Sequence, residues 1–229
     1  MIGVLQAPLA LALSSGLAAP AQPEATLLSP PPALYSPAPY SIGAPAAVAD
    51  GGGWEFGYTW IEAGATRLDL DTIDDDADTY YGEVSLDLFN LIYVFGNYEN
   101  VSTDFDNADS ANIALGVGAH LDVLDRLDLF GDIAWLYSDF EGDTFNGSES
   151  GTHVRAGARW LPWQFGTGGL ELAGNALWVS IDNPYLSDDE SFGWEAEGRV
   201  HIIRNLSVGL AYRQVGDDTS GILNARLTF

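Results

Sequence analysis

From residue 53 to the end of the chain, apolar and polar residues alternate with a period of two, and the polar set carries charge in mid-segment. The clearest stretch is SFGWEAEGRVHII (191–203). It puts Phe192, Trp194, Ala196, Gly198, Val200 and Ile202 on one face and Gly193, Glu195, Glu197, Arg199 and His201 on the other. Period two is that of an extended strand, whose side chains point alternately to opposite faces. The same rule orders Ile113, Leu115, Val117, Ala119 and Leu121 against Asn112, Gly116, Gly118 and His120. It orders Leu127, Leu129, Ile133, Trp135 and Tyr137 against Asp128 and Asp132, and Val154, Ala156, Ala158 and Trp160 against His153, Arg155 and Arg159. It sets Leu206, Val208, Leu210 and Tyr212 against Ser207 and Arg213. Five further stretches (54–68, 79–89, 91–103, 169–181 and 220–229) make ten strands, with eight as the alternative count. Two are irregular. The apolar set Trp54, Phe56, Tyr58 and Trp60 runs into Glu62, where a bulge or a membrane rim is expected. In 91–103 aromatics occupy both faces and leave the register open.

The connections alternate in kind. Those at Asn90, at Leu124–Arg126, around Pro162 to Gly168 and at Arg204–Asn205 are mostly short. Those at 69–78, 104–109, 139–150, 182–190 and 217–219 are longer or more acidic, and hold more than half of the 33 acidic residues. Short turns on one side, long loops on the other and an even strand count are what a closed transmembrane β-barrel requires. Closure also removes the free edges of a flat sheet.

The placement of charge argues for the same architecture. Hydrophobic residues make up 47% of the chain and the net charge is −25, so acid and apolar groups must be kept apart in space. There is no lysine, and six of the eight arginines fall on the polar faces of strands. An enclosed ion-pair network is expected from Arg67, Arg155, Arg159, Arg199, Arg213 and Arg226 facing Glu83, Asp87, Asp128, Asp132, Glu195 and Glu197, with Glu55 and Glu171 sharing that face. Arginine suits crowded bidentate pairing better than lysine does. The opposite face is nearly free of charge. In water it would be one large apolar patch; against lipid it is the expected exterior, with Trp54, Trp60, Trp135, Trp160, Trp163 and Trp178 as interfacial girdles. A soluble sandwich also alternates, but its outer face would carry lysine and scattered signs. No apolar run of 18 residues exists to form a transmembrane helix. The acidic balance excludes a nucleic-acid-binding face, and the absence of cysteine excludes thiolate metal sites and cysteine nucleophiles.

The chain divides into three parts. Residues 1–21 read as a secretory leader, with an apolar segment from Pro8 to Ala19 and the small-x-small site Ala19-Pro20-Ala21, although no Lys or Arg precedes the apolar segment. Residues 22–52 are a Pro/Ala-rich tail, too dense in proline for helix or central strand. Residues 53–229 are the barrel.

The final segment, GILNARLTF, ends on Phe229 with Leu227, Ala225, Leu223 and Gly221 at alternate positions before it. It resembles the C-terminal signal that the outer-membrane barrel-assembly machinery recognises, with Phe229 and Leu227 as its assembly residues. The body carries YTWIEAGATRLDLD, LIYVFGNYENVSTDFD, ANIALGVGAHLDVLDRLDLFGDIAWLYSDFEGD and WEAEGRVHIIRNLSVGLAYRQVGDD. It is similar to the small outer-membrane β-barrel proteins of proteobacteria, including the xanthomonad-type proteins of the OmpA-transmembrane-like group, over about residues 53–229. The resemblance implies a monomer in the bacterial outer membrane. Its implied partners are membrane lipid, lipopolysaccharide and, during biogenesis, the assembly machinery. It implies no cofactor.

The first functional expectation is a non-enzymatic barrel with a structural or surface-interaction role. Asp74, Asp75, Asp76 and Asp78 crowd one loop and Asp104 and Asp106 another. Their hard oxygens suit divalent cations, but their spacing matches no known calcium loop. Loop aromatics (Phe105, Phe140, Phe145 and Tyr185) leave adhesion open. A narrow ion-conducting pore is the second class: the interior of a ten-stranded barrel is small, but Ala114, Gly116, Gly118, Gly209 and Ala211 could leave room. An outer-membrane hydrolase is the third. His153 is placed near the outer end of its strand, close in sequence to Ser148, Glu149 and Ser150, while His120 and His201 fall towards the periplasmic ends. No Asp-x-His of the omptin type occurs.

Overall fold

The computed structural model describes residues 56–70, 75–103, 108–142, 146–182 and 189–229. They form ten strands: β1 (Trp60–Leu70), β2 (Asp75–Asp87), β3 (Ile92–Thr103), β4 (Ala108–Leu124), β5 (Leu127–Glu141), β6 (Asn146–Phe165), β7 (Gly168–Asp182), β8 (Asp189–Ile203), β9 (Leu206–Val215) and β10 (Asp218–Thr228). Each strand pairs antiparallel with its sequence neighbours, and β1 pairs with β10, so the sheet closes as an up-and-down barrel. The count is ten, not eight. The leader, the tail, Trp54, Glu55, Asp71, Asp74, Asp104, Phe105, Asp106, Phe145 and Tyr185 lie outside the described residues.

The closing seam runs from Trp60 opposite Thr228 to Asp69 opposite Thr219. It is extended at the rim by the Phe229 amide donating to the Thr59 carbonyl at 3.0 Å. That rim also carries the four short connections at 88–91, 125–126, 166–167 and 204–205. Asn90 and Gly166 sit there with φ of 56° and 59°, the left-handed backbone that tight reversals use.

On the opposite rim the connections are shorter than the sequence reading expects. Pairing continues through much of the acidic segments: β2 starts at Asp75, β6 at Asn146 and β8 at Asp189, and only Gly216 and Asp217 join β9 to β10. Acidic side chains do not stop a hairpin ladder when they can point to water. The expected 162–168 connection is also mostly strand. β6 runs on to Phe165, and a bulge between Trp160 and Trp163 absorbs Pro162, which has no N–H to give to a ladder.

The faces of β4, β5, β6, β8 and β9 follow the alternation in the sequence. Leu115, Leu121, Ile133, Trp135, Val200, Val208 and Leu210 point outwards and are exposed, whereas His120, Asp132, Arg155, Glu195 and Arg213 point inwards and are buried. The irregular stretches resolve differently. Trp60 is only 3% exposed; it and Glu62 share the inward face of β1 with unbroken pairing between them, and Phe56 and Tyr58, which precede the strand, are buried as well. Trp60 therefore does not belong to an outer aromatic girdle, whereas Trp135, Trp160 and Trp163 lie outside. In β3, Tyr93 and Phe95 point in and Tyr98 points out.

Candidate functional site

The barrel lumen gathers the chemistry-bearing residues, and its packing begins with glycine. Five inward glycines stand directly opposite an aromatic residue on the next strand: Gly64 opposite Tyr81, Gly116 opposite Phe95, Gly118 opposite Tyr93, Gly157 opposite Phe130 and Gly147 opposite Phe140. Each ring lies over its glycine. A Cβ added at Gly118 would sit 2.2 Å from the Tyr93 ring, and one at Gly116 would sit 2.3 Å from that of Phe95. Two of the small inward residues expected to leave room, Gly116 and Gly118, are thus floors on which rings rest. Tyr93, Phe95, Ala114, Ala134, Leu136, Leu161, Leu177 and Val179 join Phe56 and Tyr58 in one apolar cluster inside the barrel.

Charged groups thread this cluster. Arg155 holds Asp132 through Nε at 3.0 Å and Nη2 at 2.8 Å, and the Tyr93 hydroxyl donates to the same carboxylate at 2.8 Å. Arg159 donates to Asp128, which also receives the Tyr58 hydroxyl, and the guanidinium lies 4.2 Å from the Tyr58 ring centroid. Arg213 pairs with Glu195 at 2.6 Å. Arg199 joins Glu197 at 2.5 Å to Glu62 at 2.9 Å, and Arg226 meets Glu62 at 2.5 Å from above the Trp60 ring. Glu83 is buried on the same face. Among the described residues the buried inward set holds five arginines, eight carboxylates and three histidines. Buried charges are tolerated when paired and hydrogen-bonded in this way.

Ten of the twelve residues expected in the network are brought into the lumen, and two are not. Arg67 falls on the odd, outward face of β1; it is 68% exposed and pairs loosely with Asp78 at 3.7 Å. Its residue type suggested the lumen, but the strand's parity places it outside. Asp87 is half-buried at the rim, where its Oδ1 accepts the amides of Phe89 and Asn90 and caps the β2–β3 turn. The lumen also includes Glu62, Glu99, Tyr58, Tyr81 and Tyr93, which the sequence reading did not assign to it. Counting in steps of two from Trp60 would have found Glu62. Nothing local marks the tyrosines, because their carboxylate partners lie on other strands.

The loop carboxylates are not assembled into a visible site. Asp75 and Asp76 begin β2, Asp78 is exposed, and Asp74, Asp104 and Asp106 are outside the described residues. Nor is the serine–histidine arrangement formed. His153 lies mid-strand opposite Ala134 and Val179, faces inward and is 3.7 Å from Asp132, whereas Ser148 and Ser150 have the opposite parity.

No protein-family model and no curated protein matches the chain. Among solved structures, it is similar to the β-domain of the Bordetella autotransporter BrkA (9% identity, 75% of this chain and 99% of that one, TM-score 0.49). It is similar to a bacterial polysaccharide outer membrane secretin (12%, 77% and 67%, TM-score 0.48). It is also similar to an outer membrane channel from Pseudomonas putida F1 (12%, 80% and 100%, TM-score 0.40).

Proposed function

We propose that this protein is a bacterial outer-membrane β-barrel that is closed along its lumen and serves a structural or surface-interaction role, without catalysing a reaction. One observation carries the reading: Asp128, Arg159 and Arg199 are 0% exposed inside the barrel, so the ion-pair network fills the path that a pore would need. A barrel with a charged interior and an apolar exterior is the inverse of a soluble protein, and its outward Leu, Val, Ile and Trp residues suit lipid. Residues 1–21 as an export leader, the OmpA-like grouping, the GILNARLTF assembly signal, lipopolysaccharide as a neighbour and a monomeric state all belong to this proposal. Divalent cations at the acidic loops belong to it too.

The test is conductance of the refolded full chain in a planar bilayer, with and without millimolar Ca²⁺. A heat-modifiable band on gels first verifies the fold. A silent bilayer is expected under both conditions. Discrete, steady openings would overturn the closed-lumen reading and make the protein a narrow pore.

A further inference from the structure

At the rim that carries the short turns, two carboxylates on the inward face stand directly opposite each other: Asp122 on β4 and Asp128 on β5. Like charges at that position repel and destabilise a ladder. His120, two residues before Asp122, shares their face. Its side chain is 4% exposed, and neither ring nitrogen has a hydrogen-bond partner. Its Nδ1 is 3.9 Å from Asp128 Oδ1, which is also without a hydrogen-bond partner. One ligand atom from each of His120, Asp122 and Asp128 lies within 4.8 Å of the others.

We propose that His120, Asp122 and Asp128 form a binding site for a borderline divalent transition-metal ion of the Zn²⁺ type. One imidazole and two carboxylates are the donor set such an ion takes. Ligands at about 2.0–2.2 Å from a metal stand roughly 3–4 Å apart, close to the spacing present here. Asp128 divides its two oxygens. Oδ2 receives Arg159 and the Tyr58 hydroxyl, and Oδ1 is left for the metal. Tyr58 stacks on the His120 ring at 3.8 Å between centroids and restrains its plane. Among the described residues, Arg159 is the one arginine paired with Asp128, and it sits on the β6 side, away from Asp122. Asp122 is exposed at the rim and supplies the way in. Ca²⁺ and Mg²⁺ suit the site less, because a buried imidazole is a poor ligand for hard ions.

The experiment is Zn²⁺ titration of the refolded full chain by calorimetry, repeated with Co²⁺ as a spectroscopic stand-in. One saturable ion per barrel is expected, with a Co²⁺ absorption spectrum of imidazole–carboxylate ligation. Excess Ca²⁺, which would compete at acidic loops, leaves this binding in place. His120→Asn and Asp122→Asn each weaken it at least about tenfold. Asp122 is exposed, so Asp122→Asn decides the matter should His120→Asn fail to show the heat-modifiable band. The proposal is overturned by the absence of saturable Zn²⁺ binding, by displacement with Ca²⁺, or by binding that Asp122→Asn leaves unchanged. Each of these readings is separate from whether the lumen conducts.

Discussion

Glu62 is the carboxylate on which two of the buried arginines, Arg199 and Arg226, converge. It accepts from Arg199 on β8 at 2.9 Å, from Arg226 on β10 at 2.5 Å and from the Tyr81 hydroxyl on β2 at 2.8 Å. Glu62→Leu would leave two buried guanidinium groups short of their carboxylate. The expected loss is about 3–5 kcal/mol, because breaking one side of a buried ion pair exposes the desolvation cost of the other. Glu62→Gln, which keeps an acceptor, loses less. Urea midpoints of the folded band in detergent measure both, and a wild-type midpoint for Glu62→Leu would show that the network contributes little to the barrel. The sequence hid this residue behind its neighbours. Phe56, Tyr58 and Trp60 read as lipid-facing because aromatic side chains are common there. Their inward fate depends on Arg159 and Arg226, which lie over the Tyr58 and Trp60 rings from distant strands. Arg67 went astray for the converse reason: charge is a weaker guide to a face than parity within the strand.

Between neighbouring strands, inward glycine lets bonds pass. Gly118 on β4 stands between Tyr93 on β3 and Asp132 on β5, and the Tyr93 hydroxyl reaches Asp132 over it. Gly209 on β9 likewise lies next to the bond from Asn224 on β10 to Glu197 on β8; a Cβ there would meet Glu197 Oε1 at 2.4 Å and Asn224 Oδ1 at 2.5 Å. Gly118→Ala should therefore destabilise by about 1–3 kcal/mol, as overpacking does. The three atoms nearest to its Cβ all belong to Tyr93, so the same change in a Tyr93→Ala background should cost much less. A double-mutant cycle on urea midpoints reads this coupling. Additive losses would mean that ring and glycine do not share the space. The alternation of β4, β5, β6, β8 and β9 was legible because period two is local. The pairing of each glycine with a ring needs the register across strands, and one strand's sequence does not carry that. Strand ends are hidden for a related reason, since an acidic segment reads as loop in the sequence where the ladder continues.

At the scale of the whole barrel, inside and outside are set by one alternation carried through ten strands, so a single outward substitution tests it. Val208 on β9 faces out, between Ala225 and Val200 on its two neighbours. Val208→Arg is expected to destabilise the barrel in a bilayer by about 2–4 kcal/mol if the residue lies near the midplane. Folding titrations in lipid vesicles measure the cost, and a neutral result would mean that this face does not meet lipid. The network has a mechanical consequence as well. Hydrogen bonding around the sheet links only adjacent strands, like the hoop around a cask, and a hoop alone can be squeezed into an oval. Arg199 to Glu62 runs from β8 to β1 past two intervening strands, and Tyr58 reaches Asp128 on β5 from the segment just before β1. These links cross the interior as spokes cross a wheel. The cross-section is thereby held against the lateral pressure of a membrane, and a barrel stripped of them should flatten before it unzips.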